Sequence, residues 1–114
     1  MSGPEMVIVV GWSPDEYGEA ALGRAVEEAR LRQGRVVVVN ATRGDALVDE
    51  RYADEAQLGR LTEELVASGL EVDVRRSMGA DVGDQVLAVA SEVAADLVVI
   101  GLRRRSPVGK LLMG

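Results

Sequence analysis

A parallel α/β sheet with helices on both faces is the fold class this chain predicts, and three observations predict it. Short β-branched runs alternate with stretches of helical periodicity. Glycines stand at most of the changeovers: Gly11, Gly34, Gly69 and Gly101. The resulting order, β-α-β-α-β-α-β, admits right-handed crossovers that leave the strands parallel and place helices on either side.

The elements follow in turn. Met6-Val7-Ile8-Val9-Val10, closed by Gly11, is a strand buried on both faces. From Pro14 to about Arg32, Ala21, Leu22, Ala25, Val26 and Ala29 share one helical stripe, with charged residues elsewhere. Ser13-Pro14 is expected to open this helix, the hydroxyl as cap and the proline in the first turn, and Gly34 to close it. Val36-Val37-Val38-Val39 is a second buried strand. Residues 41–50 are polar, contain Gly44 and read as a loop. Leu58, Leu61 and Leu65 mark a second helix, stopped at Gly69. Residues 70–77 alternate apolar and polar, as a strand with one wet face near a sheet edge does. Asp81 begins a third helix, its apolar stripe running from Val82 through Val86, Val89 and Ala90 to Val93 and Ala94. Leu97-Val98-Val99-Ile100 before Gly101 is the last strand.

The 114 residues form one domain, 1–114. Apolar residues make up 47% and charged residues 28%, an ordinary balance for a folded, soluble chain. Absence of cysteine and histidine excludes disulfides, thiolate or imidazole chemistry and Cys/His zinc sites. Thirteen basic against nineteen acidic residues, and three aromatics (Trp12, Tyr17, Tyr52), argue against nucleic-acid binding. No apolar run reaches the ~20 residues that span a bilayer, and the start of the chain lacks a signal peptide pattern. A cytoplasmic location is expected.

Enzyme motifs fail one by one. Gly109-Lys110 lacks both the earlier glycine (Arg104 stands there) and the following hydroxyl (Leu111) of a phosphate-binding P-loop. No G-x-G-x-x-G or G-x-S-x-G occurs, and Glu27, Glu28, Glu63 and Glu64 read as solvated helix faces. No enzyme is expected. A parallel doubly wound sheet binds ligands outside the carboxyl ends of its strands, where the strand order reverses. With the first strand in the middle, the order is 3-2-1-4. The candidate loops are then Gly11-Trp12-Ser13 and Gly101-Leu102-Arg103-Arg104-Arg105.

The segment from Asp96 to Gly114, with Val9-Val10-Gly11, Glu19-Ala20-Ala21-Leu22 and Gly79, resembles the universal stress protein family. That family ends a strand in glycine and continues G-x2-G-x9-G before Ser or Thr; Gly101 and Gly114 hold the outer positions. The resemblance spans essentially the whole chain in element order. It implies a regulatory domain binding an adenine nucleotide, ATP with Mg2+, in a loop whose glycines bring backbone N–H groups close to phosphates. By position it places Gly11, Trp12, Ser13, Ala41, Ile100, Gly101, Arg103, Arg104 and Gly114 at the nucleotide. It also implies a homodimer.

Three departures bear on that expectation. Ser13 stands where the family carries an adenine-contacting Asp; its hydroxyl either accepts from the base or caps its own helix. Arg104 replaces the second glycine, where positive φ becomes costly, although Arg103, Arg104 and Arg105 form a basic cluster able to pair with phosphates. The same arginines suit solvent or a neighbouring subunit equally. Third, the family's terminal hydroxyl, last helix and fifth strand fall beyond Gly114, which leaves the fourth strand as an apolar edge open to another chain. The alternative function is a dimerisation or protein-interaction module that binds no nucleotide. A nucleotidyltransferase-type enzyme is a weaker third, opposed by the absence of histidine.

Overall fold

A computed structural model describes residues 6–42 and 53–101. The elements are β1 (Val7–Gly11), α1 (Glu16–Arg32), β2 (Arg35–Thr42), α2 (Glu55–Ala67), β3 (Val72–Met78), α3 (Val82–Glu92) and β4 (Leu97–Ile100). All pair in parallel, in the order β3-β2-β1-β4. That is the doubly wound arrangement expected, with the order reversing between β1 and β4.

The two central strands carry the core because, among the described residues, they are the ones with neighbours on both sides and helices on both faces. Ile8, Val9, Val10 and Val36 through Val39 are all 0% exposed. Burying such a side chain contributes about 1.5–3 kcal/mol each. Successive residues point to opposite faces. Ile8, Val10, Val36 and Val38 meet Leu22, Ala25, Leu61 and Leu65 of α1 and α2 on one face. Val9, Val37, Val39 and Ala41 meet Val86 and Val89 of α3 on the other. Asp96 fixes β4 beside β1: its carboxylate accepts the Val7 N–H at 2.8 Å, and its own N–H donates to Val7 O at 2.8 Å. β3 is half-exposed along its length, as an edge strand with a wet face should be.

Several local expectations need correction. Ser13 does not cap α1. Asp15 does, its carboxylate accepting the Gly18 N–H at 2.8 Å, so the helix begins at Glu16 and Pro14 precedes it. A carboxylate at the positive end of the helix dipole makes a stronger, charge-assisted cap than a hydroxyl. At the other end Gln33, not Gly34, takes the left-handed conformation (φ 55°). Gly34 serves close approach instead: a Cβ there would stand 2.7 Å from Met6 O. Ala41 and Thr42 belong to β2 rather than to a loop, and β3 is displaced to Val72–Met78. Asp81 caps α3 from outside, accepting the Asp84 N–H at 2.8 Å, and the helix ends at Glu92, short of Val93 and Ala94.

Candidate functional site

β1 and β4 run side by side, with Gly11 registered against Ile100, so the turns leaving them open onto one hollow. α3 closes that hollow from the side: Val82 and Val86 face Val39 and Ala41 of β2 across it. The hollow is a crevice of about 60 Å³ lined by Gly11, Trp12, Ser13, Val39, Ala41, Val82, Val86, Ile100 and Gly101. Six of the nine expected site residues are therefore brought together: Gly11, Trp12, Ser13, Ala41, Ile100 and Gly101. Arg103, Arg104 and Gly114 lie outside the described residues. Val39, Val82 and Val86 join the site unforeseen. They read as core valines in the sequence, and only the docking of α3 across β2 and β1 turns them toward the crevice.

Three glycines make the geometry possible. At Gly101 a Cβ would collide with the Tyr17 carbonyl oxygen, and at Gly18 with the Ser13 backbone. The end of β4, the β1–α1 turn and the first turn of α1 thus touch backbone to backbone. At Gly11 a Cβ would stand 3.2 Å from Val86 Cγ2, so any side chain there would grow into the space the crevice occupies.

The polar groups around the site are mostly engaged with one another. Trp12, 5% exposed, donates its indole N–H to Glu19 at 3.0 Å. The Trp12 backbone carbonyl accepts from Asn40 Nδ2 at 3.0 Å, and Asn40 Oδ1 accepts the Ala53 N–H at 3.2 Å. Arg76 donates in turn to Ala53 O. This chain of bonds pins the β1 turn to the start of α2. Behind α3, Gln85 donates to Thr42 O at 2.9 Å and Gly79 O at 3.1 Å, tying the ends of β2 and β3 to the helix. Asn40 and Gln85 were missed in the sequence; a polar residue at the end of a valine run is the faint signal that Asn40 left.

Ser13 keeps a separate arrangement. Its hydroxyl donates to Asp15 Oδ1 at 3.0 Å, beside the Gly18 N–H on the same oxygen. Displaced pKa values occur elsewhere. The Glu28 carboxyl is held below its ordinary value chiefly by the Arg32 hydrogen bond on the outside of α1. Arg75 is raised by its bonds to Asp73 and Glu92. Neither lines the crevice.

A second cleft, about 270 Å³, opens between α1 and α2 and is lined by Trp12, Pro14, Asp15, Glu19, Gln57, Arg60, Leu61 and Glu64. Nothing in the sequence pattern indicated it. Among the described residues no group of three or more acidic, cysteine or histidine side chains is placed to hold a metal ion, and no helix is long and apolar enough to cross a membrane.

Comparison with known proteins gives this arrangement a context. The sequence model of the universal stress protein family matches residues 6–114. A universal stress protein of Mycolicibacterium smegmatis is 42% identical over 108 residues, covering 95% of this chain and 83% of the relative. A universal stress protein of Archaeoglobus fulgidus, solved in complex with dAMP, is 25% identical with a TM-score of 0.60, covering 83% of this chain and 78% of its own. Another universal stress protein, solved in complex with cAMP, superposes with a TM-score of 0.71 over 96% of this chain and 85% of its own; at 24% identity it supports the fold alone. The chain belongs to the universal stress protein family.

Proposed function

We propose that this chain is a regulatory domain that binds an adenine nucleotide in the crevice between the carboxyl ends of β1 and β4. One observation carries the reading. Gly11, Ala41 and Gly101 converge, from three strand ends, on one small apolar hollow at the switch in strand order. Glycine or alanine at these three strand ends keeps bulk off the strand side of the crevice, while Val39, Val82, Val86 and Ile100 give it an apolar lining of the kind ligand pockets use. At about 60 Å³ the hollow is a floor and one wall rather than a whole nucleotide pocket, for which ~300 Å³ or more is usual. The Archaeoglobus fulgidus universal stress protein solved with dAMP supports the choice of an adenine nucleotide.

ATP is the nucleotide we favour, with Arg103 and Arg104 pairing to its phosphates and Gly114 along the same loop, as the family resemblance implies. Among the described residues no carboxylate lines the crevice, so Mg2+ would be carried by phosphate oxygens rather than held by those side chains. A homodimer acting in the cytoplasm completes the reading.

A second reading is favoured by one observation. β4 is an outer strand among the described residues, and Ile100 at its end is 38% exposed, an edge that suits protein contact. On that reading the domain is an interaction module without nucleotide. Calorimetric titration with ATP and Mg2+ separates the two: saturable micromolar binding supports the first, and a folded chain that takes up no heat supports the second.

A further inference from the structure

We infer that the outer edge of β3 is a self-pairing surface: two copies of this chain join their β3 strands antiparallel about a two-fold axis at Val74, with Asp73 of each opposite Arg75 of the other. The inference gives the homodimer of the reading above a surface, and it is independent of whether a nucleotide binds.

Among the described residues β3 pairs on one side, with β2. Two bonds fix the phase of that ladder. The Val36 N–H donates to Glu71 O at 3.0 Å, and the Gly79 N–H donates to Thr42 O at 3.0 Å. In a parallel ladder alternate residues turn both backbone groups to the same neighbour. Glu71, Asp73, Arg75 and Ser77 therefore face β2, while Val72, Val74 and Arg76 turn their N–H and C=O to the outer edge. An antiparallel newcomer must meet those three in phase. With the axis at Val74, that residue exchanges both bonds with its own copy, and Val72 exchanges them with Arg76 across the axis. Asp73 and Arg75 then form a non-hydrogen-bonded pair, in which Cα atoms approach to about 4.5 Å.

Charge selects this register. Val72 and Val74 pack toward α1 and α2, so Asp73 and Arg75 lie on the opposite, α3 face. Their side chains are 42% and 32% exposed. Arg75 Nε donates to Asp73 at 2.9 Å and its Nη1 to Glu92 of α3 at 2.8 Å, a brace that holds the guanidinium along the strand. Nη2 is a further donor on the same plane. Charges on an edge strand ordinarily keep a second chain away. An axis at Asp73, Arg75 or Arg76 would do so, setting that residue against its own copy. An axis at Val72 would set Glu71 against Asp73. Like charges directly opposite are destabilising. Of these centres, Val74 is the one that brings opposite charges together, and the symmetry makes the contact twice.

The test is sedimentation equilibrium of the full chain at low ionic strength, with amide hydrogen exchange to place the contact. The unaltered chain should dimerise, and the Val72, Val74 and Arg76 amides should exchange more slowly as its concentration rises. Asp73→Arg and Arg75→Asp should each weaken association ~10-fold or more, because each sets like charges against one another across the axis. Mixed in equal amounts, the two variant chains should associate as tightly as the unaltered one, since each supplies the charges that the other lacks. Both positions are at the surface, and an unchanged circular dichroism spectrum verifies that the variants fold. Slowed exchange in β4 instead of β3 would overturn the inference while leaving the homodimer standing. So would a dimer that neither substitution weakens, or one that mixing fails to restore. A chain that stays monomeric at every concentration would overturn the homodimer and the inference with it.

Discussion

The two faces of the sheet close in different ways. On the α1/α2 face the carboxyl ends of the strands are tied by hydrogen bonds: Trp12 to Glu19, Asn40 to Trp12 and Ala53, Arg76 to Ala53. On the α3 face the crevice is walled by the apolar Val39, Ala41, Val82 and Val86, and the hydrogen bonds of Gln85 to Thr42 O and Gly79 O lie outside that lining. Alternation along β2 produces the contrast, since Asn40 and Ala41 are neighbours that point to opposite faces. The difference teaches where a ligand fits. Polar side chains already bonded to one another offer a newcomer little, whereas the apolar residues described around the crevice offer contact area.

The largest expected effect comes from breaking the bonded face. Asn40 is 0% exposed and uses both ends of its amide. Asn40→Ala would leave the Trp12 carbonyl and the Ala53 N–H without that partner, at a cost of about 3 kcal/mol by urea denaturation. A loss below about 1 kcal/mol would mean that the bonded face is no more than ordinary packing.

Trp12 sharpens the comparison because it borders both hollows. Glu19→Ala removes the acceptor of the indole N–H while leaving the ring in place, and should cost about 1 kcal/mol of stability. Nucleotide affinity should be almost unchanged. A tenfold fall in affinity would move the indole N–H from the bonded face into the site.

The smallest effect lies away from both faces. The Arg32 hydrogen bond depresses the Glu28 pKa below its ordinary 4.5. A depressed carboxylate contributes stability above its unfolded value and loses it as pH falls through the folded one. The difference in melting temperature between wild type and Glu28→Gln should therefore be present above pH 4.5 and vanish as the solution is acidified below it. Salt should shrink it, because the pair is at the surface. A difference that grew on acidification would contradict the assignment.

Much of this architecture could be read beforehand, and the reason is physical. Runs such as Val36 to Val39 suit a strand buried on both faces, and the stripe Ala21, Leu22, Ala25, Ala29 follows a helical period. Topology then located the crevice, because parallel strands and right-handed crossovers leave few places for one. What escaped were choices between near neighbours and contacts across the fold. Ser13 and Asp15 are both good caps in isolation; the charge decided for Asp15. Gly18 reads as a weak spot in a helix, and its purpose is visible only once the Ser13 backbone is found against it. Asn40 and Thr42 disguised the end of β2, since polar residues extend a strand into the core only when partners wait there. The arginines at 103–105 were legible as a charge cluster, a pattern that names no partner.

The most direct measurement is the set of backbone amide NMR shifts of the 114-residue chain during titration with ATP and Mg2+. If the nucleotide lies in the crevice on the α3 face, the largest changes among the described residues fall at Gly11, Ser13, Ala41 and Gly101. Changes centred instead on Gln57, Arg60 and Glu64, in the cleft between α1 and α2, or no changes at all, would contradict it.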